Sequence, residues 1–224
     1  MLGRAGVAMW WDVPPEVRAE WEDWHTHEHM PERLGIPGFL RGTRWVADSG
    51  EPSYFVLYET RNLKTMTSGA YLDRLNNPTP WSRKMMPYHR NMVRSLCRVR
   101  SAVGGGLAQA AATIRFSASR RKRGSLLKWL AAELMPPLPT RKGLTAVYLL
   151  ESLPADVPRT AEHDIRGMDA RADCVLLVCG YDIEVVKALV AGELGELEPH
   201  GALPGRVEGF YLCAYSLTSK DLRD

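Results

Sequence analysis

The sequence predicts an α+β fold: two fused β-α-β-β-α-β repeats whose antiparallel sheets pack into an α+β barrel. Three observations lead there. The 224-residue chain is interrupted near its middle by "GGG" at 104–106, a flexible joint between two stretches that each suit one compact unit. The same order of strand-like and helix-like segments occurs on both sides of that joint. A four-stranded sheet with both helices on one face leaves its other face bare, so something must cover it. With two such sheets in one chain, the cover is the other sheet, with side chains or a ligand between them. Pairing with a counterpart in another chain is the alternative.

The elements follow in order. "GVAMWWDV" (6–13) is a short apolar run rich in strand formers. The proline pair after it suits a helix start. Val17, Trp21, Trp24 and Glu28 then recur at helical spacing, and Pro31 should end or kink that helix. "GFLRGTRWVAD" (38–48) and "SYFVLYET" (53–60) are strands joined by the turn "SGEP". "NLKTMTSGAYLDRLNN" is a helix with Asn62 as a candidate N-cap. Residues 78–95 look irregular, and "LCRVRSAV" (96–103) closes the first half, residues 1–105. In the second half, residues 106–224, strands are expected at 108–119, 144–152, 172–182 and 206–219, with helices at 125–135 and 183–197. This is the ferredoxin-like order, met twice.

Composition narrows the function classes. A net charge of +3 with 45% apolar and 25% charged residues gives no case for nucleic acid or membrane partners. No run of about 18 apolar residues occurs, and the first residues lack the apolar core of a leader. The four cysteines form no C-x-x-C pair and read as small buried strand residues. A cytoplasmic protein is expected.

The chemistry concentrates in "WEDWHTHEHMPERLG". Helical geometry puts His25, Glu28, His29 and Glu32 on one stripe with Trp21 and turns His27 elsewhere. Half aromatic and half titratable, this stripe has the make-up of a pocket wall. Four readings are open. His29 orients the turn and its neighbours are solvated. Alternatively His29 faces the barrel interior and moves a proton, with Glu28 or Glu59 orienting it. Two histidines and a carboxylate could hold a metal, although Pro31 argues against the long helix this needs. Haem ligation is the fourth. Elsewhere, "WSRKMMPYHRNMVRS" (81–95) is either a loop packed on the sheet end or a lid, with Arg83, Lys84, Arg90 and Arg94 available to a carboxylate. Trp10 and Trp11 must face opposite sides of their strand. Glu59 is either a buried carboxylate or paired with Arg41 or Arg44. "SRRKRG" (119–124) reads as a solvated turn, and "PRTAEHDIRGMDARAD" (158–173) as an exposed loop without catalytic promise.

Residues 6–105 resemble the opening repeat of dimeric α+β barrel proteins, particularly the EthD-like group. The matching positions are Glu28, His29, Pro31, Glu32, Pro37, Gly38, Phe39, Arg41, Tyr54, Phe55 and Glu59. The second half matches only in element order; a second site, if symmetry implies one, has lost its polar residues. The resemblance implies the fold and leaves the function open, since the fold hosts isomerases, cyclases, monooxygenases and haem enzymes.

The expected function is cofactor-independent proton transfer of isomerase, cyclase or lyase type on an aromatic, lactone or polyketide-like acid. His29 would be acid or base, with His25, Glu28 and Glu59 orienting it. Trp10, Trp21, Tyr88, His89 and Arg41 would contact the substrate. No metal or other cofactor is expected, and the partners are a small ligand and, as one option, a second copy in a homodimer. The alternatives are a non-catalytic ligand-binding or structural barrel, and a metal- or haem-dependent oxidoreductase.

Overall fold

The computed structural model describes residues 1–153, 158–167 and 169–222. Its strands are β1 (Ala5–Asp12), β2 (Phe39–Ala47), β3 (Tyr54–Thr60), β4 (Arg90–Gly104), β5 (Ala110–Phe116), β6 (Leu144–Ser152), β7 (Cys174–Gly180) and β8 (Val207–Thr218). Its α-helices are α1 (Arg18–Trp24), α2 (Met30–Leu34), α3 (Gly69–Asn76), α4 (Pro80–Met85), α5 (Arg123–Trp129), α6 (Ala161–Arg166) and α7 (Ile183–Ala191).

The strands close into one barrel in the order β1-β3-β2-β8-β5-β7-β6-β4. Each half contributes four neighbours, β4-β1-β3-β2 and β8-β5-β7-β6, and the seams are the antiparallel pairs β2–β8 and β4–β6. Strand β4 is long enough to serve both: it pairs β1 from Arg90 to Arg98 and β6 from Cys97 to Gly104. It begins well before the expected residue 96, because the stretch read as irregular holds α4 and the first turns of this strand.

Strand alternation sorts side chains to two sides. Ala8, Trp10, Trp45, Phe55, Leu57, Tyr148, Leu177 and Tyr211 fill the barrel interior. Trp10 stacks on Phe55 at 5.1 Å and Phe55 on Trp45 at 4.9 Å. Trp10 Nε1 donates to Thr113 Oγ1 at 3.1 Å. Eight strands enclose just enough room for such filling. The space between the sheets is therefore a packed core, and a ligand expected there has no place among these side chains.

The opposite faces carry Val7, Met9, Trp11, Tyr54, Val56 and Tyr58 in the first half, covered by helices that pack as a second core. A third core does the same in the second half. Cys97, Cys174 and Cys179 are buried strand residues as expected, and Cys213 is half-buried. The "PGF" turn depends on Gly38, whose φ of +98° favours glycine and whose Cβ would meet Thr65 Oγ1 at 2.6 Å.

The expected helix over residues 15–34 is a composite. After α1, His25–His29 form one turn of π-helix, closed by Met30 N–H donating to the His25 carbonyl; α2 follows. Pro31 is the physical cause. It has no N–H, and its ring crowds the carbonyl four residues back, so the ladder widens instead of breaking. The second half repeats the device: Met135 N–H donates to the Leu130 carbonyl at 2.9 Å, just ahead of Pro136.

Candidate functional site

The site lies between the first-half sheet and its helices, outside the barrel. The π turn brings His25 and His29 together, with ring centroids 5.5 Å apart. Both are buried. His25 stacks on Trp21 at 4.9 Å, and His29 leans on Trp24 at 4.6 Å. His89, just ahead of β4, joins them: Trp21 Nε1 donates to His89 Nε2 at 2.9 Å, which places the His89 proton on Nδ1. Trp11 packs against the same group, 4.8 Å from the His89 ring.

All three imidazoles are held neutral. Burial pushes His25 well below the usual histidine range, with Arg44 the next cause. Burial does the same to His29, followed by Arg33. His89 falls to about 3, from burial and then Arg166. Arg44 Nη1 sits 3.4 Å from His25 Nδ1 and packs over the Trp21 ring. A guanidinium only donates, so His25 Nδ1 is the accepting nitrogen.

The expected stripe divides by role. Glu28 accepts from Trp24 Nε1 at 3.1 Å, from Thr79 Oγ1 and from Ser82 Oγ at 3.3 Å. It is committed to anchoring α4 and to fixing the Trp24 ring on which His29 rests. Glu32 pairs with Arg74 at 2.9 Å. His27 is exposed and near Asp23. Thr79 also caps α4, accepting from Ser82 N–H, so Thr79→Ala should cost about 1–2 kcal/mol in urea unfolding. An unchanged midpoint would remove Glu28's anchoring role.

Other expected site residues are elsewhere. Trp10 faces the barrel interior with the Phe55 stack. Glu59 and Arg41 pair with each other, Arg41 Nε donating at 2.7 Å, and the Leu2 amide also donates to Glu59. Glu59 shares the inward parity of Phe55 and Leu57. These three are thus separated from His29 by the sheet itself. The inward-facing His29 of the acid–base reading is corrected for the same reason: its helix covers the outer face. Tyr88 packs half-buried against the first core. Trp21, His25, His29 and His89 remain together.

The residues that complete the site were not among those expected. Helix α6, described apart from the neighbouring Met168, which lies outside the described residues, is no exposed loop. Thr160 caps it, accepting from His163 N–H, and its apolar and charged side docks on the first half. Glu162 is 2% exposed and pairs with Arg33, itself 3% exposed. Arg166 holds Glu162 at 3.3 Å and Asp169 at 3.2 Å. Arg94 donates to Tyr71 Oη at 2.8 Å. The Thr160 cap was the one local signal of a helix here; nothing local shows that it packs against a residue 129 positions away.

These groups enclose a cavity of about 30 Å³ lined by His29, Arg33, Tyr58, Tyr71, Arg94, Glu162 and Arg166 with an apolar floor including Val7, Met9 and Phe39. Four lining side chains keep a buried polar atom without a hydrogen-bond partner among the described residues: His29 Nδ1, Arg33 Nη1, Tyr58 Oη and Arg166 Nε. Among the described residues no group of three or more His, Cys, Asp and Glu side chains is placed to hold a metal ion.

The corresponding turn in the second half reads Trp129, Leu130, Glu133, Leu134, Met135, Pro136 where the first reads Trp24, His25, Glu28, His29, Met30, Pro31. Tryptophan, glutamate, methionine and proline coincide. Both histidines are replaced by leucine, and Leu130 is buried in the second-half core.

No family model matches the chain, and no curated protein matches it. Solved structures do. An anthrone oxidase-like protein superposes with a TM-score of 0.67 at 10% identity, covering 97% of this chain and 94% of that one. A protein provisionally assigned as a monooxygenase from Lactobacillus acidophilus NCFM gives 0.62 at 9%, covering 97% of each. One provisionally assigned as a chlorite dismutase gives 0.58 at 9%, covering 96% of each. The chain has the α+β barrel fold of ferredoxin-like halves. At these identities the likeness is one of fold, and the α+β barrel's chemistry here must be argued from its own residues. Among the described residues no helix is long and apolar enough to cross a membrane.

Proposed function

We propose that this α+β barrel protein is a small-molecule enzyme in which His29 accepts a proton from an acidic aromatic, lactone or polyketide-like substrate. The observation that carries it is the set of four polar atoms, unpartnered among the described residues, around a cavity of about 30 Å³ that admits the reacting oxygen, while the larger cavity sharing Leu75, Arg94 and Arg166 takes the body of the substrate. A buried polar group left unpaired costs about 1–3 kcal/mol, so a fold that keeps four together reserves them for an occupant. Two guanidiniums and a phenol are donors suited to an oxygen that gains negative charge. A neutral imidazole beside them is the group to take the proton. Burial and Arg33 hold His29 unprotonated, and charge forming on the substrate oxygen raises its basicity at the moment of transfer.

Isomerisation and cyclisation of a carbon acid can both begin with removal of this proton. Phenylpyruvate, a one-ring aromatic acid with an exchangeable C–H beside its keto group, is the first probe. In deuterated buffer, the protein should speed exchange of the acidic C–H of phenylpyruvate, followed by NMR, and His29→Gln should slow it at least about a hundredfold. Equal exchange by the variant would end the proposal. The packed barrel interior favours a rival, a non-catalytic structural barrel; absence of exchange with any carbon acid would support that rival.

A further inference from the structure

We infer that the ligand carries a carboxylate, held in a second cavity beside His29 by Arg94 and Arg166, with Arg171 at the rim. This rests on the proposed site only for what the other end of the ligand does there; binding can be tested alone. The second cavity measures about 220 Å³ and shares Leu75, Arg94 and Arg166 with the inner one. That is below the usual range for drug-sized ligands, about 300–1,000 Å³, and suits a molecule of roughly one ring.

Charge selects the ligand class. Across the two cavities stand four guanidiniums, Arg33, Arg94, Arg166 and Arg171, against two carboxylates, Glu162 and Asp169. Both carboxylates are already engaged, Glu162 by Arg33 and Arg166, and Asp169 by Arg166. The balance is an excess of two positive charges in a partly desolvated place. Among the described residues the Arg94 guanidinium has a phenol as its one hydrogen-bond partner, and Arg171 is exposed with no ion pair. Guanidiniums match carboxylates in geometry as well as charge. Leu75, Leu96 and Pro158 supply an apolar wall, which a bare inorganic anion would leave unused. Asp169 Oδ1 has no partner among the described residues and suits a hydroxyl donor on the ligand.

The test titrates the full-length protein with benzoate and with benzyl alcohol, its neutral counterpart, by calorimetry. Benzoate should bind at least about tenfold more tightly, as a charged hydrogen bond requires. Arg94→Gln should remove that difference while leaving benzyl alcohol unaffected. Since Arg94 also supports Tyr71, the exposed Arg171→Gln is the second variant and should weaken benzoate about threefold, more at low salt than at high. Equal affinities for the two probes, or benzoate binding indifferent to both variants, would overturn the assignment. Inorganic phosphate binding more tightly than benzoate would assign the cavity to phosphoryl groups instead and overturn it too. Benzoate binding without phenylpyruvate exchange would leave this inference standing and sink only the proton-transfer reading.

Discussion

Acidification from about pH 7 to pH 5 should remove several kcal/mol of folding stability, and replacing His89 should make the loss less steep. An unfolded histidine takes up a proton near pH 6.5. In the folded chain His25, His29 and His89 resist it, first through burial in every case, then through Arg44, Arg33 and Arg166 respectively. These are bases with depressed folded pKa values. The unfolded state therefore binds protons that the folded state refuses. Their effect vanishes above the unfolded pKa and grows as pH falls below it, down to the folded values, about 3 for His89. The slope is about 1.4 kcal/mol per pH unit for each such histidine, so about 4 for the three together. Urea unfolding at several pH values measures it. His89→Gln should reduce the slope by roughly one part in three, because one titrating group is gone. Identical stability at the two ends of the range would mean that the three rings are protonated in the fold.

Glu162→Leu should destabilise the protein by about 3–5 kcal/mol, because it strands the buried Arg33 guanidinium and takes from Arg166 one of its two carboxylates. Arg33 has its ion pair with this carboxylate and Arg166 shares it alongside Asp169, and all three side chains are almost wholly excluded from water. The double variant Glu162→Leu with Arg33→Met should recover much of the loss, since a buried pair replaced by apolar groups of similar size is often neutral. Asp164→Ala on the same helix is the control. Its pair with Arg159 is exposed on both sides and is worth about 1 kcal/mol or less. Chemical denaturation of the four proteins distinguishes these outcomes, and equal losses for Glu162→Leu and Asp164→Ala would show that α6 does not seal the site.

The fold was legible because strand and helix periods are local properties. "SYFVLYET" alternates and "IEVVKALVAGEL" repeats at helical spacing, and each half carries the same succession. The stripe of His25 and His29 was legible for the same reason, although a regular helix was the wrong geometry for it. Pro31 announced a disturbance, but not that the ladder would widen. Two things had no local signal. Parity alone could not tell which side of β3 faces inward, so Glu59 and Tyr58 exchanged importance. Nor could any pattern in "TAEHDIR" show that Glu162 meets Arg33. That contact depends on the closure of the whole barrel, which carries a segment of the second half over the first.

The two seams of this barrel lie within one polypeptide. In an assembly of two identical chains, every substitution is made twice, and related sites must stay alike. Here the equivalent turns are specified separately. His25 and His29 stand on one side of the pseudo-symmetry, and Leu130 and Leu134 on the other. One location is thus free to hold water-seeking groups at a stability cost while its counterpart stays oily and offsets part of that cost. Carrying both turns in one chain gives the molecule a polar side and an apolar side.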